Sequence, residues 1–334
     1  MPVIRSKKPS KRKTKKDAAA EAAKKTARKA ATRSARAVDR EARAAERETR
    51  KAEREVARQN KDRLAERKEA LSAAIPYLAL VQAPTVPQMA EPAADAVSVA
   101  TYNVHRWAGL NGARAPDAAR AGFVISELNS DIIALQEVLR PFEGDDPLAK
   151  LAEALNLHVA FVATRVHRRG EIGNAILSRW PITSVFSLDL SFSRVEKRSA
   201  VAAQFALEGA PLSIVATHLA LVDRTRRRQV ESILGHPQLQ GPVVLLGDMN
   251  AWRNCEATRT LEREMVGGEE LSWPRTFPAT RPVLALDRVY CRGAAIEEIK
   301  AHDTDAARRA SDHLPVRAAL RLHAADADER AASE

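Results

Sequence analysis

The stretch Val243–Asn250 joins an apolar run to polar residues that could do chemistry. Its four apolar residues lie between a proline and a glycine, which predicts a short strand buried on both faces. Asp248 and Asn250 follow directly. A carboxylate at the end of a buried strand is costly unless a metal ion, a bound water or a phosphoryl group compensates it. The alternative interpretation is an ordinary turn, which Asp and Asn also favour.

Six other predicted strand ends carry residues of the same kind. They are Asn103 with His105, Gln136–Glu137, Gly173–Asn174, Thr217–His218, Asp287, and Ser311–Asp312–His313. Each one alone is typical of a cap, a turn or a structural histidine. Together they predict one site that is assembled from the ends of many strands, with carboxylates, amides and imidazoles suited to a hard metal ion and a phosphate.

The elements that position these residues lie between about residues 97 and 322. Apolar spacing predicts helices at 116–129, with Pro116 at the start, at 148–155, at 223–234 and near 255–264. Short apolar runs between them predict about ten strands. Many strands with a few interspersed helices predict a core of two packed sheets flanked by helices.

Composition divides the chain into four parts. Residues 1–72 form a basic extension rich in Ala, Lys, Arg and Glu, with disorder expected at 1–16 and partial helix after Asp17. Residues 73–96 contain four prolines and are predicted to be a linker, part of which packs on the core. Residues 97–322 form the predicted catalytic domain, and residues 323–334 a flexible tail.

The net charge of +11 comes from the extension. Residues 1–70 carry 25 Lys and Arg against 11 Asp and Glu, whereas the rest carries 29 against 32. A solvated helix and an electrostatic tether to nucleic acid or membrane are both compatible with this extension. We therefore expect any general contact with polyanions to involve residues 1–72.

Other sequence features exclude several classes of protein. Two cysteines, Cys255 and Cys291, imply neither a disulfide framework nor a cysteine-based zinc site. No stretch is long and apolar enough for a transmembrane helix, and no apolar segment follows the basic N-terminus as in a secretory signal. We expect a cytoplasmic monomer.

The ordered motifs TYNVH, LQEV, GNAILSR, THL, GDMN, TFP, LDRVY and SDHLPV resemble those of the endonuclease/exonuclease/phosphatase superfamily. The resemblance covers residues 97–322. It implies a deoxyribonuclease I-like, four-layer α/β sandwich that hydrolyses phosphoester bonds with Mg²⁺ or Mn²⁺. Family substrates range from DNA and RNA to phosphoinositides and sphingomyelin, so the reaction is implied better than the substrate.

The resemblance also implies roles for single residues. Glu137 is the principal metal ligand, with Asn103 and Asp312 close to the metal. His105 departs from the Asp or Gly that some nuclease members have at this point, which argues against a second metal there.

The catalytic group is expected to contain Asp248, Asn250, Asp287, His313 and His218. Asp248 activates or orients the water and Asn250 holds the phosphate or the nucleophile. His313 contacts the scissile phosphate, Asp287 orients its ring, and His218 is an acid or a phosphate ligand. Whether Asp248 or His313 is the base stays open.

Further residues could contact the substrate. By resemblance, Asn174 and Arg198 bind its phosphate. The arginines 224 and 226–228 form either a solvated face or a substrate contact. Trp107, Trp252 and Trp273 either stack on a base or headgroup or belong to the core.

We expect a metal-dependent phosphodiesterase or phosphatase, and the basic extension slightly favours DNA or RNA as the substrate. A phospholipid or a small phosphoester is the alternative. The third hypothesis is a non-catalytic protein that binds polyanions, although the complete set of site residues argues against it.

Overall fold

The computed structural model describes residues 79–86 and 96–323, apart from 111, 113–116, 193–195, 207–210 and 267–270, together with scattered positions between 22 and 73. The chain contains two compact units, Met1–Arg67 and Lys68–Glu334. In the first unit the described residues are helical and almost all are exposed. The predictions for residues 1–16 and 324–334 lie outside the described residues.

The second unit contains the strands and the remaining helices. The strands are β1 (Ala79–Gln82), β2 (Ala96–Asn103), β3 (Ile132–Pro141), β4 (His158–His167), β5 (Gly170–Ser178), β6 (Ser184–Asp189), β7 (Ser199–Phe205), β8 (Leu212–His218), β9 (Val243–Asp248), β10 (Asp287–Arg292), β11 (Ala294–Ala301) and β12 (Val316–Leu322). The α-helices are α1 (Ala118–Leu128), α2 (Pro147–Leu155), α3 (Asp223–Leu234), α4 (Glu256–Met265) and α5 (Asp305–Ala310). Short 3-10 helices span His105–Trp107 and Pro237–Leu239.

These strands form two sheets. The first sheet has the order β1-β4-β5-β3-β2-β12-β11, and the second has the order β10-β9-β8-β7-β6. Most neighbours are antiparallel, but β2 and β3 are parallel in the first sheet and β8 and β9 are parallel in the second. Each sheet therefore has, near its centre, one pair of strands whose carboxyl ends point the same way.

Three apolar layers hold the sheets and helices together. One lies between the two sheets and includes Val99, Ile214 and Leu246. The other two lie on the outer faces of the sheets, under the helices. The order of layers is helix, sheet, sheet, helix, and it confirms the predicted four-layer α/β sandwich.

Strand β9 shows why its sequence is a continuous apolar run. Val244 and Leu246 point into the layer between the sheets, whereas Val243 and Leu245 point into the outer layer under the helices. Every residue of the strand is buried. A strand that is covered on both faces has no polar face, and the predicted burial is confirmed.

Local sequence also explains where helices begin and end. The Asp117 side chain caps α1 by accepting a hydrogen bond from the Ala119 amide, and Asp146 caps α2 in the same way before Pro147. Both helices end at an asparagine in the left-handed conformation, Asn129 and Asn156.

Two elements were not predicted. Ala79–Gln82, inside the predicted linker, is an edge strand that pairs with β4. The six-residue helix α5 lies in a stretch with no recognised apolar period. Both are too short to show a periodic pattern in the sequence. Pairing with β4 stabilises the strand, and capping by Thr304 stabilises the helix.

Candidate active site

The two parallel strand pairs bring the predicted residues to one edge of the sandwich. Asn103 lies opposite Gln136 at the ends of β2 and β3. His218 lies opposite Asp248 at the ends of β8 and β9. The antiparallel strand β10 begins beside them, because Asp287 also pairs with Asp248. Topology thus joins residues that are far apart in the sequence.

Asp248 is the centre of a buried polar cluster. Asn103 Nδ2 donates a hydrogen bond to Asp248 Oδ2 over 3.1 Å. The same oxygen lies 3.4 Å from His218 Nε2 and 3.7 Å from His313 Nε2. Its other oxygen accepts a hydrogen bond from the backbone N–H of Asn250 at 2.9 Å. One carboxylate therefore faces both predicted histidines.

His313 is held by a second buried carboxylate. Its Nδ1 lies 2.8 Å from Asp287 Oδ2, which also accepts a hydrogen bond from Thr276 Oγ1 at 2.6 Å. Burial disfavours the imidazolium, but the charges of Asp287 and Asp248 and the hydrogen bond to Asp287 outweigh it and raise the pKa of His313 to about 10. His313 is therefore protonated at neutral pH.

The pKa values of the other two members of the cluster, His218 and Asp248, move in opposite directions. Burial, together with the charges of Arg198, His313 and Arg165, lowers the pKa of His218 well below its usual value. Burial raises the pKa of Asp248 to about 6, against the opposing charge of His313. At neutral pH the cluster thus combines a neutral imidazole, an imidazolium and a carboxylate that can accept a proton.

Glu137 and Asp312 are more open than this cluster. Their side chains are 24% and 31% exposed. Glu137 has a φ of 53° and lies where the register of β3 and β5 shifts, between Leu135 and Val138. This bulge turns the carboxylate out of the regular alternation of the strand.

A left-handed turn, His105–Trp107, contacts the three residues that were predicted to surround a metal. His105 donates its backbone N–H to Asn103 Oδ1 at 3.0 Å, and His105 Nδ1 lies 3.4 Å from Asp312 Oδ1. Arg106 Nε lies 3.2 Å from Glu137 Oε2. The φ values of the turn are 43°, 57° and 60°, and such a conformation costs about 1–2 kcal/mol per non-glycine residue.

Two groups of residues could hold a metal ion. Asp248, Asp287 and His313 present ligand atoms that all lie within 4.8 Å of one another. In this group His313 Nδ1 and Asp287 Oδ2 already pair with each other at 2.8 Å. Asn103, Glu137 and Asp312 would all bind a metal through oxygen atoms, and the carboxylates of Glu137 and Asp312 are accessible to solvent. This donor set fits Mg²⁺ or Mn²⁺ better than the Asp-Asp-His group does.

The remaining predicted residues are placed as follows. Asn250 Nδ2 donates to the Leu219 carbonyl at 2.9 Å, and Asn174 Nδ2 donates to the Ser199 carbonyl at 2.7 Å. Arg198 pairs with Glu196 at 2.7 Å. The two side-chain amides thus support a neighbouring loop and strand, and the Arg198 guanidinium is held by Glu196.

Sequence reasoning missed Arg106 and Arg165. Arg165 is an exposed residue of β4 that follows seven buried residues. Burial of part of its side chain lowers its pKa, and the charges of Glu137, Arg198 and Arg106 also act on it. A cation that ends an apolar run was the available signal, as was the position of Arg106 directly after TYNVH.

Arg226 has a structural role within the predicted arginine run. Its Nη1 donates to the carbonyls of Ala220, Leu221 and Asn250 at 2.9, 2.8 and 2.9 Å. It is buried and joins the loop after β8 to the loop after β9. Neither a solvated face nor a direct substrate contact describes it.

The three tryptophans that the sequence analysis considered lie in different environments. Trp107 is fully buried and donates its indole N–H to the Leu139 carbonyl. Trp273 packs on Tyr290 with ring centres 4.8 Å apart. Trp252 is 53% exposed, as are Leu221 at 55% and Val222 at 59%. Arg226 links the loop that contains Leu221 to Asn250, two residues before Trp252.

Comparison with known proteins agrees with this fold. Residues 100–313 match the profile of the Endonuclease/Exonuclease/phosphatase family. The match spans more than half of the chain, so this protein belongs to that family. Its members are metal-dependent hydrolases of phosphate esters, and the structure holds the Asp-Asp-His cluster described above.

The individual relatives share less than 30% sequence identity with this chain. The uncharacterized protein YbhP of Escherichia coli K12 is 28% identical over 253 residues, which cover 67% of this chain and 96% of YbhP. An endonuclease/exonuclease/phosphatase structure from Beutenbergia cavernae has a TM-score of 0.56 and 23% identity, and covers 69% of this chain and 72% of its own. TDP2 of D. rerio, solved with a single-strand DNA product, has a TM-score of 0.52 and 17% identity over 67% of this chain and 98% of its own. The two structures show the fold.

Within the residues that the structure describes, no helix has both the length and the apolar character needed to cross a membrane.

Proposed function

We propose that this protein is a divalent-metal-dependent phosphodiesterase. The observation that carries the proposal is the buried network Asp287–His313–Asp248–His218, in which one protonated and one neutral imidazole face the same carboxylate. A buried imidazolium between two carboxylates suits an anionic, pentavalent phosphorus centre better than it suits a structural role alone.

Asp248 is the base in this proposal. It accepts a proton from the attacking water, whose oxygen forms a bond to phosphorus while the bond to the leaving oxygen breaks. His313 cannot take this role at neutral pH because it already carries a proton, and it donates a hydrogen bond to a phosphoryl oxygen instead. Neutral His218 is a hydrogen-bonding ligand of the phosphate, and the leaving oxygen takes its proton from solvent.

Glu137, Asn103 and Asp312 would hold the Mg²⁺ or Mn²⁺ ion. When bound, the ion neutralises phosphoryl charge and orients the ester. Asp287 keeps the His313 ring in place. Arg198 and Arg165 lie where they add positive charge next to His218, and Asn174 and Asn250 hold the strand and loop that carry the site.

DNA or RNA is the substrate that we favour. The support comes from the basic residues 1–70 and from the DNA product bound by the structurally similar TDP2. Phospholipid is the second candidate, because exposed Leu221, Val222 and Trp252 could insert into a lipid surface. A panel of plasmid DNA, single-stranded DNA, RNA, sphingomyelin, phosphoinositides and bis-p-nitrophenyl phosphate, each with Mg²⁺ or Mn²⁺, separates these candidates.

The variant His313→Gln tests the catalytic assignment. We expect it to lower kcat by roughly 10²–10³-fold, the usual effect of losing a group that stabilises transition-state charge. Asp248→Asn should have an effect of similar size, and a chelator should abolish the activity. The matched control is His302→Gln, because His302 also pairs with a carboxylate, Glu127, but lies outside the site. Turnover at the wild-type level in His313→Gln or Asp248→Asn contradicts the assignment.

A further inference from the structure

Arg106 forms an ion pair with Glu137, the carboxylate that is proposed to bind the metal ion. Its Nε lies 3.2 Å from Glu137 Oε2, and this is the one ion pair of Arg106 among the residues described. The neighbouring residue His105 contacts Asn103 and Asp312. One short turn therefore contacts all three residues of the oxygen donor set.

The Arg106–Glu137 pair has the properties of an exchangeable contact. The two side chains are 31% and 24% exposed, so neither is sealed in the core. Arg106 Nε is close to the carboxylate but has no aligned hydrogen-bond partner among the described residues. The backbone of Arg106 is left-handed, with φ 57°. Arg140, on the same strand as Glu137, differs because its Nε donates a 2.7 Å hydrogen bond to Asp146.

Binding of a divalent cation to Glu137 would change the electrostatic interaction of that carboxylate with Arg106. Glu137 can neutralise one guanidinium, but a divalent ion on the same carboxylate repels that guanidinium. The displaced group stays beside the cation, where the substrate presents its phosphoryl oxygens. Arg165 and Arg198 already lie on this side of the site, and a planar guanidinium suits the oxygens of a phosphate.

We propose that Arg106 is a further residue of the site with two positions, on Glu137 while the metal is absent and on the substrate phosphate once Glu137 binds the metal. The proposal rests on the proposed function, because it takes Glu137 as a metal ligand. It makes phosphate affinity dependent on metal loading, since the loaded metal releases the arginine that binds the phosphate.

The first test measures metal binding without any substrate. Mn²⁺ is titrated by calorimetry into the full chain as wild type, Arg106→Asn and Arg140→Gln. Asparagine is chosen because it tolerates the left-handed backbone. We expect Arg106→Asn to bind Mn²⁺ about two- to fivefold more tightly, the range that corresponds to losing a partly exposed competing ion pair. Arg140→Gln should match the wild type, because its partners are Asp146 and Glu171.

The second test measures binding of inorganic phosphate with and without Mg²⁺. In the wild type we expect Mg²⁺ to strengthen phosphate binding, and in Arg106→Asn we expect most of this gain to disappear. Arg106→Lys should recover part of it because the positive charge is kept. A purely structural role for Arg106 would change thermal stability without changing the metal dependence of phosphate binding.

The outcomes separate the two proposals. Equal Mn²⁺ affinity of wild type and Arg106→Asn overturns the role of Arg106, and metal-dependent hydrolysis would still leave the proposed function standing. Phosphate binding in Arg106→Asn that responds to Mg²⁺ as in the wild type also overturns it. If neither protein binds Mn²⁺, the metal site of the proposed function is wrong and the role of Arg106 falls with it.

Discussion

Among the residues of the site, burial and charge give chemically similar side chains different roles. His218 and His313 both face Asp248, yet their pKa values move in opposite directions. Asp287 lies 2.8 Å from His313 Nδ1 and raises its pKa, whereas burial and the charges of Arg198, His313 and Arg165 lower the pKa of His218. A histidine next to a strand end therefore has no defined protonation state until its neighbours are known.

These pKa values predict how activity depends on pH. The proposed mechanism needs ionised Asp248 and protonated His313. Activity should fall as pH drops below about 6, where Asp248 gains a proton, and it should fall above about 10, where His313 loses one. The measurement is kcat/KM for bis-p-nitrophenyl phosphate across pH at constant Mg²⁺ concentration.

The variant Asp287→Asn tests the alkaline side of this profile. It removes the negative charge of Asp287, which raises the pKa of both His313 and Asp248, so the alkaline limb should move to lower pH and the acid limb should move in the same direction. Asp303→Asn is the control, because it removes a carboxylate paired with Arg308 on the surface. An alkaline limb that stays in place in Asp287→Asn contradicts the assignment of His313 as the protonated group.

At the scale of elements, the site depends on the close approach of β8 and β9. Gly247 lies opposite Thr217 in this parallel pair and has a φ of 152°. A Cβ atom at this position would lie 1.9 Å from the Thr217 carbonyl oxygen. Only glycine allows the strands to pair up to Asp248 and His218, so the glycine before Asp248 is a packing requirement.

The variant Gly247→Ala should therefore lower the free energy of unfolding by about 1–3 kcal/mol and displace Asp248. Gly241→Ala is the matched control, because a Cβ there has no neighbour within 4 Å. Urea unfolding of both variants gives the comparison. If Gly247→Ala and Gly241→Ala are equally stable, the close approach of the two strands is not required.

Across the whole molecule, positive charge and the site belong to different parts of the sequence. Residues 1–70 carry a net charge of +14, and the remainder a net charge of −3. The site supplies local cations at Arg106, Arg165 and Arg198, but the domain around it is not broadly basic. We propose that residues 1–72 supply the long-range attraction to a polyanionic substrate.

Deletion of residues 1–72 tests this division. The salt dependence of single-stranded DNA binding should become shallower, since the slope of log K against log salt changes by roughly 0.7 for each phosphate that the protein no longer neutralises. Turnover of bis-p-nitrophenyl phosphate should stay unchanged and serves as the control for folding. An unchanged salt slope means that the extension is not the tether.

The sequence by itself determined most of the fold and predicted the polar residues at the strand ends of the candidate site. Glycine, proline and apolar runs outline the strands, and the ordered motifs from TYNVH to SDHLPV specify the polar residues at their ends. These signals are local, so they can be read without coordinates. The structure confirms the four-layer sandwich, and it brings Asn103, His218, Asp248, Asp287 and His313 into contact.

Only the tertiary structure decided the states and partners of those residues. The Asn103–Asp248 hydrogen bond joins positions 145 residues apart, and no local pattern encodes it. The same holds for the protonation of His313, for Arg226 as a buried link between loops and for Arg106 on Glu137. Burial and electrostatic interactions depend on distances in space, which the chain acquires only when its strands pair and its sheets pack.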